Sequence, residues 1–243
     1  MADCTNESSY IRQQTREVRR WMKARSQHSG VEVVIPTARI KHALLWLQAL
    51  FTHRRGALSK TYHVPRWCWI RVLHITADAS PWYGGAWFAI NGQPYEWLET
   101  SWSSDDCHML QCAIGDCRGQ AVWESLIILV AMRIWLPDWG QERIKLVARS
   151  DSLAALGALG KLRSKSVHMN LIAAELALDL AEANYEVVIE HAHVKGCDNS
   201  WADALSRLAE PGGCFEVPPG LRHVRQRVVP ARGRGWWLLS GNP

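Results

Sequence analysis

The chain has 243 residues, 48% hydrophobic and 21% charged, which is enough apolar material for one substantial core and excludes wholesale disorder. No stretch reaches the roughly 18 to 20 uninterrupted apolar residues of a membrane span, and the opening residues lack a signal-peptide pattern, so a chain inside the cell, cytoplasmic or nuclear, not secreted and without membrane contact, is expected. The net charge of +5 is segregated: residues 1–60 hold 11 Lys/Arg against 4 Asp/Glu, residues 211–243 hold 5 against 1, and the middle is acidic, a distribution suited to basic arms that hold a polyanion around a central cation site.

Residues 9–26 are polar and Arg-rich, with a weak helical pattern. After Pro36, the run Ala38–Phe51 sets Ile40, Leu44, Leu47 and Phe51 at helical spacing, with Leu45 and Trp46 widening the stripe, which predicts an amphipathic helix in need of a partner surface. Gly, Pro and basic residues between His53 and Arg66 mark a boundary, so residues 1–66 read as a basic helical connection segment. From Trp67 the pattern changes. Trp67–Ala77, Gly84–Ile90 and Tyr95–Trp102 predict three strands, the last two joined at Asn91-Gly92, a strong hairpin signal. Gln120–Trp135, apolar on most sides and stopped by Pro137, predicts a buried helix. A short strand over Arg143–Ala148, helices over Leu153–Leu159 and Val167–Asn184, a strand over Tyr185–Val194 and a closing helix over Ser200–Ala209 follow. Three strands joined by turns form an antiparallel meander, and the later two join by crossovers. The expected α/β fold is a mixed five-stranded sheet flanked by helices over residues 67–210, with a basic C-terminal tail over 211–243.

Four acids stand where such a sheet places a site. Asp78 ends the first strand, Asp151 ends the fourth, Glu124 lies one turn inside an apolar helix, and Asp203 sits between apolar neighbours on the last helix. One such acid is usually a cap, a turn former or half of an ion pair. Four at the ends and inner faces of these elements demand a cation, because clustered carboxylates repel and would otherwise take up protons. Hard oxygen ligands favour Mg²⁺, and two ions about 3.5 to 4 Å apart activate a water and stabilise the leaving oxygen at a phosphodiester.

The segments Thr76-Ala77-Asp78-Ala79-Ser80, Trp123-Glu124-Ser125-Leu126 and Ser150-Asp151-Ser152, and above all Gly196-Cys197-Asp198-Asn199-Ser200-Trp201-Ala202-Asp203-Ala204-Leu205-Ser206-Arg207, resemble the ribonuclease H domain of retrotransposon reverse transcriptases of gypsy-like and DIRS-like elements, over about residues 67–210. The resemblance implies a ribonuclease H-like fold and an endonuclease that cleaves the RNA strand of RNA/DNA hybrids. It implies two Mg²⁺ ions, with Mn²⁺ as a substitute, held by Asp78, Glu124, Asp151 and Asp203. It places substrate contacts at Ser80, Ser152, Lys161, Arg163, Lys165 and Asn199, and gives a reverse transcriptase polymerase domain as a partner. Two features depart from the cellular enzymes. The turn Lys195–Asn199 before the last acid is short and lacks their histidine, although His191 and His193 lie close by on the preceding strand, and their basic protrusion is reduced to Lys161, Arg163 and Lys165. Two rivals share the fold: a nucleic-acid-binding module that has lost cleavage, and a transposase or integrase, in which Glu175 would supply the third acid.

Other signals are weaker. Ser104-Asp105-Asp106-Cys107 is polar and does not form a polymerase Asp-Asp hairpin. Cys107, Cys112 and Cys117 beside His108 lack the paired knuckles of a zinc site, and the seven cysteines are irregularly spaced, which favours reduced thiols. Most of the 14 tryptophans fall at core positions, with Trp82, beside Asp78, the best candidate to touch nucleic acid.

Overall fold

Alternation and turn chemistry build the sheet. In the computed structural model, which describes residues 16, 20, 37–53, 71–139, 144–182 and 187–240, strands β1 (Arg71–Ala79), β2 (Tyr83–Ile90) and β3 (Gln93–Ser101) form the antiparallel meander. Asn91 and Gly92 both take positive φ, 51° and 84°, the conformation a two-residue hairpin turn requires. β4 (Ile144–Ser150) and β5 (Val187–His193) add in parallel on the other side of β1. Residues 67–70, 143 and 183–186 of the predicted elements lie outside the described residues, as do residues 54–66 of the boundary and most of 9–26.

The sheet has six strands, in the order β5-β4-β1-β2-β3-β6, and not the five expected from the sequence. The sixth, β6 (Arg225–Gln226), pairs in parallel with β3. Two residues are too few to show any periodicity, so this strand is set by tertiary contact alone.

α3 (Gln120–Trp135) crosses one face of the sheet against β1 and β2, α4 (Leu153–Gly160) lies beside it on β4 and β5, and α5 (Val167–Glu182) packs against both helices. Every residue from Val122 to Met132 is buried, so the apolar composition serves contact on all sides rather than a single stripe. The segment around it, Cys117–Trp139, is long and apolar enough to cross a membrane by composition, but 78% of its apolar 18-residue window is buried inside the protein. α1 (Thr37–His53) docks on α5 and forms part of the same core. Its buried face is Ala43, Trp46, Ala49 and Leu50, with the Trp46 Nε1 donating to the Ala174 carbonyl at 3.1 Å. The expected stripe is out of phase: Leu44 and Phe51 are 55% and 64% exposed. Small residues let the helix approach α5 closely, a preference that large-residue spacing does not reveal.

A short helix, α2 (Ser104–Leu110), stands where the sequence predicts none; it is opened by a capping box between Ser103 and Asp106. On the opposite face of the sheet, α6 (Ser200–Ser206) packs on β1 and β2. Gly85 makes this possible: a Cβ there would lie 2.4 Å from the Leu205 Cβ and 2.5 Å from the Ser206 nitrogen.

The basic segment after Pro211 packs onto this body. Leu221, Trp237 and Leu239 are buried. Arg232 pairs with the fully buried Asp106 at 2.9 Å, and the Trp237 Nε1 donates to the other oxygen of that carboxylate at 3.2 Å. Arg225 and Arg227 lie 3.4 and 3.5 Å from the buried Glu96, and Arg222 pairs with Glu216. Much of the tail's positive charge therefore neutralises acids of the chain itself. Replacing Trp237 by Ala should cost about 3 to 5 kcal/mol of stability, through the cavity and the unpaired Asp106 oxygen. Urea unfolding checks this, and a loss under about 1 kcal/mol would make the segment peripheral.

Candidate metal centre

Four elements converge at one end of the sheet. β1 delivers Asp78, the turn after β4 delivers Asp151, α3 reaches over with Glu124, and α6 brings Asp203. Carboxylate oxygens of Asp78, Glu124 and Asp151 all lie within 4.8 Å of one another. Asp78 and Glu124 are buried, and Asp151 is half-buried. No Lys or Arg among the described residues forms an ion pair with any of the three.

Neutral donors hold the first two in place. The Ser206 Oγ donates to Asp78 Oδ2 at 2.7 Å, and the Asn199 Nδ2 approaches Oδ1 at 3.4 Å. Gln120, one turn before Glu124, donates through Nε2 to Glu124 Oε1 at 2.9 Å and also bonds the Ala79 carbonyl. The Ser150 Oγ lies 3.5 Å from Glu124 Oε2. These donors orient the carboxylates without cancelling their charge. Burial, then Asp151 and Asp203, push Asp78 up to about 7 against the Ser206 bond. Burial first, then Asp78, push Glu124 up to about 9. Both acids hold protons well above the ordinary carboxylate range, and a divalent cation bound there would relieve the same repulsion by displacing them. A set of hard oxygens with no ion-pair partner among the described Lys and Arg residues fits Mg²⁺ or Mn²⁺.

Asp203 stands outside this trio. Its carboxylate takes an i,i+4 ion pair from Arg207 Nε at 2.7 Å, with both side chains 43% exposed, yet its charge reaches Asp78. Ser80 is buried, its Oγ donating to the Ser206 carbonyl at 2.7 Å and accepting from the Trp82 and Tyr83 nitrogens. Ser152 caps α4 by accepting from the Ala155 nitrogen at 3.3 Å. Asn199 is buried beside Asp78, and its Oδ1 has no partner. Lys161, Arg163 and Lys165 are exposed on the turn after α4.

Glu175 is fully buried elsewhere. It pairs with Arg133 at 2.7 Å and accepts from the Leu238 and Leu239 nitrogens, so the acid that a transposase-like arrangement would use is committed to anchoring the C-terminal segment. His191 faces α4, where a Cβ on Gly160 would lie 3.1 Å from its Nδ1, and burial lowers its pKa. His193 is exposed, in register with Ser150. The Trp82 ring packs on Gly115. Gln120, Ser150 and Ser206 are the site residues that sequence reasoning missed. For Gln120 the signal was present, an amide one helical turn from Glu124.

No protein-family description matches the chain, and neither does any curated protein. Among solved structures the chain is similar to the RNase H1 of the halophilic archaeon Halobacterium salinarum NRC-1. The identity is 14% and the TM-score 0.39, over 59% of this chain and 98% of that one.

The raised carboxyls fix the sign of a pH effect. From about pH 4 to about pH 9 the folded, metal-free protein holds more protons on Asp78 and Glu124 than the unfolded chain does, so these two groups make stability fall as pH rises through that window. Urea unfolding in chelator at several pH values should show Asp78→Asn and Glu124→Gln each flattening this decline relative to wild type. Equal slopes in all three proteins would contradict the charge cluster.

Proposed function

We propose that the chain is a divalent-metal-dependent endonuclease that hydrolyses the RNA strand of RNA/DNA hybrids, with a ribonuclease H-like fold, as part of a retroelement reverse transcriptase. The observation that carries this reading is the meeting of Asp78, Glu124 and Asp151, three acids far apart in sequence, within 4.8 Å of one another and with no ion pair to any Lys or Arg among the described residues. The connectivity supports it as well: an antiparallel meander followed by two parallel strands places these acids at one sheet end.

Asp78, Glu124 and Asp151 would hold the cations, and Asp203 would complete the set at the rim. Bound there, two Mg²⁺ ions would activate a water and stabilise the leaving oxygen of the scissile phosphodiester. Ser206 and Asn199 fix Asp78, and Gln120 and Ser150 fix Glu124, so the ligand oxygens are positioned before any ion arrives. An exposed ion pair such as Asp203 with Arg207 is worth only about 0 to 1 kcal/mol, and Asp203 can exchange it for a cation at little cost. Lys161, Arg163 and Lys165 stand outward to meet the phosphate backbone, and the hybrid would be distinguished by its shape and 2′-hydroxyls.

The test is a cleavage assay on labelled RNA/DNA hybrid, duplex DNA and duplex RNA, with and without Mg²⁺. The wild type should cut the RNA of the hybrid only with metal. Asp78→Asn, Asp151→Asn and Glu124→Gln should each reduce the rate by orders of magnitude while the protein remains folded. Cleavage at the wild-type rate by Glu124→Gln would remove it from the site. A wild type that binds hybrid without cutting it would instead fit a silent binding module.

A further inference from the structure

The face of the sheet opposite α3 carries a second group of polar side chains, next to the carboxylates and distinct from them. Strand alternation turns His74, Thr76 and Asp78 of β1 and Lys145, Val147 and Arg149 of β4 to this face, while Ile75, Ala77, Leu146 and Ala148 enter the core. The parallel register sets Thr76 beside Arg149, His74 beside Val147, and Val72 beside Lys145. The described segments that cover this face, α6 and the stretch around Val217–Val224, gather over Trp87, Trp97 and Leu205, and leave His74, Lys145 and Arg149 half-buried.

Three atoms in this group are buried and have no hydrogen-bond partner: Thr76 Oγ1, His74 Nδ1 and Arg149 Nε. Thr76 is only 3% exposed. A buried polar atom left unpaired is costly, and three at adjacent positions on two strands mark a place built to receive something polar. The charge is positive. Lys145 is engaged by Glu190 at 2.8 Å, whereas no described carboxylate pairs with Arg149. Besides burial, the charges of Arg149 and Lys145 lower the pKa of His74, so both cations address the same spot. A guanidinium fork beside a hydroxyl suits a phosphate oxygen pair.

Position supplies the identity of the anion. Thr76 lies two strand positions, about 6.6 Å, from Asp78, and Arg149 stands beside Thr76 in the parallel register, within reach of a neighbouring phosphate of a strand that crosses the carboxylates. We propose that Arg149, Thr76 and His74 form an anion subsite that takes a backbone phosphate of the nucleic-acid strand lying across the carboxylates, on the sheet face rather than at the metal centre. The nature of the ligand rests on the nuclease reading above. The subsite holds the strand as it leaves the cutting position and acts in binding.

The experiment uses the full chain in chelator, so that no cleavage occurs, and follows fluorescence anisotropy of a labelled RNA/DNA hybrid over a range of salt concentrations. Arg149→Gln should weaken binding by about tenfold and reduce the salt slope by about one ion. Arg149→Lys should keep the slope and lose part of the affinity. Thr76→Val should weaken binding several-fold with an unchanged or higher melting temperature, because it removes a hydroxyl that has no partner; a merely structural threonine would lower it. Equal affinity and slope for wild type and Arg149→Gln would overturn the subsite. Protection by inorganic phosphate with the same Arg149 dependence, but no binding of hybrid, would overturn the assignment to a strand phosphate. The two readings fail separately: a wild type that binds hybrid through Arg149 yet never cuts it leaves the subsite and removes the nuclease, and a wild type that cuts while Arg149→Gln binds as before does the reverse.

Discussion

Repulsion among buried carboxylates is the constraint around which this end of the molecule is arranged. Asp78 and Glu124 are driven together with Asp151 in a place where water is scarce and no described Lys or Arg pairs with them. An ionised acid in such surroundings is costly, and two side by side more so. Left alone, the site holds protons; a divalent cation bound there would let it hold charge. Neutral donors from Gln120, Ser150, Ser206 and Asn199 fix the geometry while leaving that choice open, which a lysine or arginine in the same place would close.

The fold provides the stability that tolerates this cost. α3 contributes Glu124 near its first turn and buries almost every side chain beyond it, so the acid is carried by the most deeply packed element of the core. α6 is held against β2 by a glycine that admits it and by the Ser80 bond to its last residue, and it carries Ser206 to Asp78. The C-terminal segment closes the far side through Arg232 with Asp106 and through the main-chain donors to Glu175. Buried acids elsewhere in the molecule are thus paired with arginine, in contrast to the trio at the sheet end.

Much of this was legible in the sequence. The acids at strand ends, the Asn91-Gly92 hairpin, the buried helix with Glu124 and the alternation of strands with helices all follow local rules, and the structure places them accordingly. What was not legible depends on long-range contact. β6 consists of two residues and exists only because Arg225 and Gln226 meet β3. The buried face of α1 is chosen by close approach to α5, so Ala43 and Ala49 are inside and Phe51 is outside. Asp203 is chemically one of four candidate acids, yet its rotamer is taken by Arg207 four residues on, a competition that spacing alone does not decide. The polar strip of Thr76, His74 and Arg149 likewise appears only once the parallel register of β1 and β4 is known.

Divalent cations shared by these three carboxylates would bind only as the carboxylates give up protons. Isothermal titration of the metal-free protein with Mg²⁺ at pH 7, in two buffers of different ionisation enthalpy, tests it most directly. With Asp78 near 7 and Glu124 near 9 in the metal-free state, the account predicts saturable binding with release of about one to two protons per chain, and a smaller release with weaker binding in Glu124→Gln. Absence of binding, or binding with no proton release in either protein, would contradict it.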